Sequence, residues 1–329
     1  MDIIFVRTKL QALIVLNLLE QKRISKNFTF VKCYFNEINE DAKEISFFYS
    51  KIEKKAFYTT HLVEKRGLIR CSLQVYLLSI LALISCGKFF LAGINYYGFS
   101  IAAKFNPLIK IITLDEGMAN ILQESSNPYF SNKPLGDSSS ILRSLLNFLL
   151  PNGPAFFIKK KIILHYTIYK NFENIVPREK LKYIKIDWES YLFNEDVLFL
   201  NRFIKSEVSL LIGTVFDEKF EKFNSKKDEQ KRNFLKNFQK EFLPKLDLII
   251  PHPRDRSNIS QLKIAKSFHG TSESVVEFLQ NQSMVNKINV YHLGTSSAPI
   301  IKTFSKVKLY DIFAGTYETE NNLVHLENL

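Results

Sequence analysis

Leu246-Asp247-Leu248-Ile249-Ile250-Pro251-His252-Pro253-Arg254-Asp255 sets an apolar strand directly against a polar loop stiffened by two prolines. Two further stretches share this design. Ile111-Ile112-Thr113-Leu114 runs into Asp115-Glu116-Gly117, and Val290-Tyr291-His292-Leu293-Gly294 runs into Thr295-Ser296-Ser297-Ala298. In open α/β sheets, ligands bind beyond the carboxyl ends of parallel strands. Strand-then-polar-loop units therefore predict an α/β fold and place its site in these loops.

Working outward, the rhythm repeats. Ile3–Val6 reads as a strand, followed by a helix over Leu10–Leu19 where apolar residues recur at helical spacing. Val31–Phe35 and Ile45–Phe48 read as strands, Val75–Ser85 as a helix, and Lys88–Gly93 and Leu108–Leu114 as strands. A helix is expected to start at Ala119–Leu122, behind the Asp115 loop. Ser125–Asp137 is a polar loop, and Phe156–Tyr169 is either a surface lip or a strand pair. Alternation resumes with a strand at Val208–Ile212, a charged helix at Lys226–Lys240, the Leu246–Ile250 strand, a helix at Ser274–Leu279 and a strand at Ile288–Leu293. Strands alternating with helices argue for parallel βαβ units. The boundary falls near residues 190–205, giving a domain over 1–195, a second over 196–313, and a polar tail over 314–329 that is loose or crosses back.

Composition narrows the function classes. The 329 residues are 46% hydrophobic and 24% charged, enough apolar content for globular cores. Net charge is +12, which favours an acidic partner such as a nucleotide, an anionic membrane surface or nucleic acid. The basic residues are spread along the chain, which argues against nucleic acid. Cys33, Cys71 and Cys86 have no metal-type spacing and form no even set, so a reducing compartment is expected. The start, Met1-Asp2-Ile3-Ile4-Phe5-Val6-Arg7, lacks a basic n-region and a cleavage-like site, which points to the cytoplasm. Cys71–Gly87 is uncharged over 17 residues but short for a membrane span, and its serines suit a buried helix better.

The loops supply a carboxylate pair, a His/Arg pair and a hydroxyl pair. Asp115 at a strand end suits a general base, with Glu116 as second candidate, and Gly117 opens the next helix to close approach. A charged turn would look the same. A lone histidine is more often structural than catalytic. His252, however, follows a strand, is bracketed by Pro251 and Pro253, and has Arg254 two residues on, which suits an anionic phosphate. Thr295-Ser296-Ser297 fits simple N-capping and also a phosphate cradle of hydroxyls and free N–H groups. Gly213-Thr214 fits packing against a nucleotide, Asp217 lies just beyond as a third acid, and Glu277 is a candidate for ribose hydroxyls. No P-loop, complete G-x-G-x-x-G, zinc spacing or Asp-x-Asp triplet is present. Cationic and hydroxyl groups are therefore expected to offset a leaving phosphate without a metal or cofactor.

In order, these motifs resemble the bacterial lipooligosaccharide sialyltransferases of glycosyltransferase family 52. Phe5-Val6-Arg7-Thr8-Lys9-Leu10-Gln11 is similar to the family's first strand and loop, with Lys9 where Pro is expected. Leu114-Asp115-Glu116-Gly117 is similar to its acidic-pair-Gly motif, with Glu116 in place of the commoner second Asp. Pro251-His252-Pro253-Arg254-Asp255 is similar to its His-Pro-Arg-acid motif, here ending in Asp, and Ser296-Ser297-Ala298 matches its serine motif. The resemblance covers roughly residues 3–313.

It implies a GT-B-like pair of Rossmann-type domains, with the active site in a cleft between an N-terminal acceptor side and a C-terminal donor-binding side. It further implies an inverting transfer of sialic acid from CMP-sialic acid to a terminal galactose of a surface glycolipid, with α-2,3 linkage. Asp115 would deprotonate the acceptor, beside Thr8, Gln11 and Gly117. His252 would stabilise or protonate the leaving phosphate, with Ser296 and Ser297 binding it; Gly213, Thr214, Pro253, Arg254 and Glu277 would complete the CMP side. Peripheral contact with the anionic inner membrane suits a lipid-linked acceptor, and a homodimer stays open. Two rivals stand beside this reading: a GT-B enzyme using another nucleotide-sugar, and a basic non-enzymatic protein binding nucleic acid or a membrane surface.

Overall fold

The computed structural model describes residues 1–34, 41–63, 68–92, 94, 96–116, 121, 147–170, 172–213, 240, 243–252, 263–292, 295, 297–312, 316–318 and 323–325. The chain divides into two compact units, Met1–Ile186 and Asp187–Leu329.

In the first unit, β1 (Asp2–Val6), α1 (Lys9–Glu20), β2 (Phe28–Tyr34), α2 (Asp41–Glu53), β3 (Tyr58–Val63), α3 (Leu68–Ile84), β4 (Phe89–Leu91), α4 (Tyr97–Phe105) and β5 (Ile111–Leu114) alternate strictly. α5 (Pro154–Lys161), β6 (Ile162–Thr167) and β7 (Leu181–Tyr183) follow. The seven strands are ordered β3-β2-β1-β4-β5-β6-β7, and every pairing is parallel. β1, β4 and β5 are buried at every position, as expected of parallel strands covered on both faces. Period-two alternation sorts the two covers. Ile3, Phe5, Val31, Cys33, Phe89 and Leu91 join one core with Cys71, Val75, Leu78 and Ala82 of α3 and Phe99 of α4. On the other set, Tyr49 of α2 meets Phe30 edge to face and its hydroxyl donates to the Val6 carbonyl. The strand order reverses between β1 and β4, the switch point at which such sheets bind ligands.

The second unit carries α6 (Asn194–Leu200), β8 (Glu207–Ile212), β9 (Leu248–Ile250), α7 (Ser272–Asn281), β10 (Lys287–His292), the short α8 (Ala298–Ile301) and β11 (Val307–Asp311). β12 (Thr316–Glu318) and β13 (Leu323–His325) complete the order β13-β12-β11-β10-β8-β9. β8 to β11 pair in parallel, and β12 and β13 add antiparallel at the edge. Val208, Leu210, Leu248, Val275, Leu279 and Val290 share one core. The switch point here lies between β8 and β10.

Two expectations change. Ile45–Phe48 is not a strand but part of α2. Ile45, Phe48, Tyr49 and Ile52 are all buried, and their i, i+3, i+4, i+7 spacing is a helical stripe. Phe156–Tyr169 is neither a lip nor a strand pair but the end of α5 running into β6. The helix expected from Ala119 and the charged helix expected over 226–240 lie outside the described residues, apart from Ile121 and Lys240.

Candidate active site

Every site residue expected from the sequence that the structure describes sits just past a strand's carboxyl end or on the helix that follows. In the first unit, Thr8 follows β1 and caps α1: its Oγ1 accepts from the Gln11 N–H at 3.4 Å. Gln11 returns the bond, its Oε1 accepting from the backbone of Arg7 at 2.8 Å and of Thr8 at 3.2 Å. This reciprocal box is legible as a Thr with Gln three residues on. Gln11 is buried, and its Nε2 has no hydrogen-bond partner among the described residues.

Asp115 follows β5 and is fully buried. Its Oδ1 lies 2.9 Å from His165 Nε2, and its Oδ2 accepts from the Ile168 N–H at 2.7 Å. His165 is equally buried, with Nδ1 2.8 Å from the Thr113 hydroxyl. A carboxylate oxygen accepts, so this geometry suits a tautomer in which Nε2–H donates to Asp115 and Nδ1 accepts from the Thr113 hydroxyl. Strand register assembles the chain, since Thr113 stands opposite His165 across β5 and β6.

Glu116 is placed differently. Its side chain is 20% exposed, and Oε1 lies 3.9 Å from Arg7 Nη1, joining the β5 loop to the β1 loop. Burial pushes its pKa up, and Arg7 opposes that shift. The acidic pair therefore separates into an anchored carboxylate and one with solvent access and raised basicity.

In the second unit, Gly213 ends β8 against the β9 loop. Its N–H donates to the Ile250 carbonyl at 2.8 Å, and a Cβ there would meet Pro251 Cα and His252 N at 3.2 Å each. Glycine thus lets two strand ends meet, with half-buried His252 at the junction. Ser297 and Thr295 follow β10. The Ser297 hydroxyl lies 2.8 Å from that of Ser272, the first residue of α7, and the Ser297 carbonyl accepts from Ile300 and Ile301. The serine loop is thereby joined to the N-terminus of a ten-residue helix, whose positive dipole end favours an anion and carries Glu273 in its first turn. Glu277 lies further along α7 and accepts from the Glu189 N–H at 2.9 Å. Burial raises its pKa first of all. Gly117, Thr214, Asp217, Pro253, Arg254 and Ser296 lie outside the described residues.

Two residues escape the sequence reading. Ser272 has a signal in Thr271-Ser272-Glu273-Ser274, a capping run before an apolar helix, and Thr271 does cap α7. His165 has none, because a single histidine in Ile162–Thr167 shows nothing of its partner 50 residues earlier.

The family model for Glycosyltransferase family 52 matches residues 16–313. The chain belongs to glycosyltransferase family 52. Among curated relatives, it is 25% identical over 212 residues to the CMP-N-acetylneuraminate:beta-galactoside alpha-2,3-sialyltransferase of Pasteurella multocida (strain Pm70), covering 64% of this chain and 58% of that protein. It is 21% identical over 281 residues to the N-acetyllactosaminide alpha-2,3-sialyltransferase of Neisseria meningitidis serogroup A / serotype 4A (strain DSM 15465 / Z2491), covering 84% and 66%. The family 52 chain thus spans less than two thirds of the length of these relatives. Among solved structures, the alpha/beta-galactoside alpha-2,3-sialyltransferase of Photobacterium phosphoreum, a luminous marine bacterium, aligns with TM-score 0.49 and 10% identity over 98% of this chain and 91% of that one.

Proposed function

We propose that this family 52 glycosyltransferase moves sialic acid from CMP-sialic acid to a terminal galactose of a surface glycan, with α-2,3 linkage and inversion. The observation that carries the reading is the family match over residues 16–313, together with two curated relatives both named alpha-2,3-sialyltransferases. The geometry suits the chemistry. Taken by itself, the first unit has a carboxylate after β5 suited to take a proton, and the second has loops after β9 and β10 suited to an anion.

In the reaction, the acceptor hydroxyl gives its proton to a carboxylate and its oxygen bonds to the anomeric carbon. The bond from that carbon to the CMP phosphate oxygen breaks, and CMP leaves with the electron pair. An N–H of His252 and the hydroxyls around Ser297 and Ser272 meet the growing phosphate charge. Between the two acids, the described arrangement favours Glu116 over Asp115 as the proton acceptor. Asp115 has both oxygens engaged and no solvent access, and it holds the loop that presents Glu116.

The phosphate charge is met by these protein groups without a metal. The test is CMP release from CMP-sialic acid with a lactose-type acceptor, with and without EDTA. No turnover with CMP-sialic acid sinks the donor assignment, and turnover lost in EDTA sinks metal independence. A cytoplasmic chain in peripheral contact with the anionic inner membrane, where a lipid-linked acceptor sits, belongs to the same proposal; so does a homodimer, read by its mass in solution. Among the described residues no helix is long and apolar enough to cross a membrane.

A further inference from the structure

The uncharged run Cys71–Gly87 reads from sequence as a buried helix, yet α3 is buried on one side alone. Cys71, Ser72, Val75, Leu78, Ser79 and Ala82 face the sheet core or α4. Ile69, Leu73, Leu77, Leu81 and Ile84 are exposed, Ile69 at 70% and Ile84 at 75%. Spaced by four and then three, they form one stripe along the whole helix. A surface helix normally sets polar residues on that side. The turn after α4 is tied to the middle of α3, where the Asn106 amide donates to the Ser79 carbonyl at 3.1 Å. The last residue of α4, Phe105, and Leu108 in the turn are also exposed. An exposed apolar stripe along a whole helix marks an interaction site.

Charge identifies the occupant. From Lys65 to Leu114 the sequence has six basic residues, Lys65, Arg66, Arg70, Lys88, Lys104 and Lys110, and no Asp or Glu. Arg70, Lys88 and Lys110 are exposed. An apolar face with basic and no acidic residues in its stretch of chain complements an anionic bilayer surface, where leucines enter the headgroup–acyl boundary and lysines meet lipid phosphates. The inner side of α3 is packed into the sheet core and no described helix is long and apolar enough to cross, so the helix lies on the surface.

We infer that the outer face of α3 is the surface by which this enzyme docks on an anionic lipid bilayer. The inference rests on the proposed membrane contact and names the element that makes it.

Flotation of the full chain with phosphatidylcholine vesicles, with and without phosphatidylglycerol, tests it. Wild type floats with the anionic vesicles, and salt weakens the binding. Leu73→Gln/Leu77→Gln/Leu81→Gln lowers the partition roughly tenfold or more, with melting temperature and turnover on a soluble acceptor unchanged. Arg70→Gln/Lys110→Gln, which spares the apolar stripe, lowers binding and flattens its salt dependence. Met284→Gln, at an exposed apolar residue of the other unit, leaves binding intact. If the triple variant floats like wild type, α3 is not the docking face, although membrane contact stands. If wild type binds no vesicle, membrane contact itself fails, while CMP release still judges the transferase reading. If the triple variant turns a dimer into a monomer without changing flotation, the face belongs to a second copy and the inference is overturned.

Discussion

Asp115 Oδ1 and His165 Nε2 lie 2.9 Å apart with neither side chain in contact with solvent. Thr113 and the Ile168 N–H close the network at its two ends. Removing one partner strands the other in a site without water. His165→Ala should therefore cost about 3 kcal/mol in urea unfolding. His165→Gln, whose amide N–H reaches about as far as Nε2, should recover part of that loss. Equal loss in both variants would show that ring volume, not the hydrogen bond, holds the site.

The two acids should part company on substitution. Glu116→Gln should cut turnover by about 10²–10⁴ while CMP binding and folding persist. Asp115→Asn should lower stability and turnover together. A folded, CMP-binding, inactive Asp115→Asn beside an active Glu116→Gln would return the base role to Asp115.

Glu116 also sets a pH signature. Burial raises its pKa in the folded chain, so between the ordinary glutamate value and the folded value the native state binds the extra proton. Stability then falls as pH rises through that window. Glu116→Gln should remove the fall, leaving the urea midpoint unchanged at acid pH and raised above the window. The acid limb of wild-type kcat/KM should likewise lie above the ordinary glutamate range. A limb inside that range would separate Glu116 from the proton transfer.

Gly213→Ala should act through His252. The added Cβ meets the Pro251–His252 backbone at 3.2 Å, so the β9 loop must give by a few tenths of an ångström. We expect a stability loss of about 1 kcal/mol and a larger proportional loss of CMP affinity by calorimetry. Unchanged CMP affinity would detach His252 from the donor.

Ser297→Ala should weaken CMP binding about tenfold, the worth of one hydrogen bond to a charged group. Ser272→Ala should be non-additive with it, since the two hydroxyls lie 2.8 Å apart. Additive effects would mean that the pair only braces the loop.

Elements declared by local pattern were legible in the sequence. The β1, β8 and β10 strands all follow from apolar spacing within a few residues. Ile45–Phe48 misled because four residues hold too little of a stripe to tell a strand from a helix, and Tyr49 and Ile52 complete it. His165 stayed hidden because its role is set by the register of β5 and β6, a long-range property. For α3, apolar spacing could not reveal that Ile69, Leu73, Leu77, Leu81 and Ile84 would stay exposed.

The Thr113–His165–Asp115 chain has a consequence for where the sequence of this family 52 member can change in length. It clamps the end of β5 to β6 by groups that are themselves in or beside the strands. In sequence, residues 117–146 lie between the β5 half of this clamp and the β6 half. Lengthening a connection costs only about 0.6 kcal/mol per doubling. Insertions in that stretch of sequence should therefore leave the hydrogen bonds of Asp115 in place, so the chain can vary in length there at little cost to the clamp.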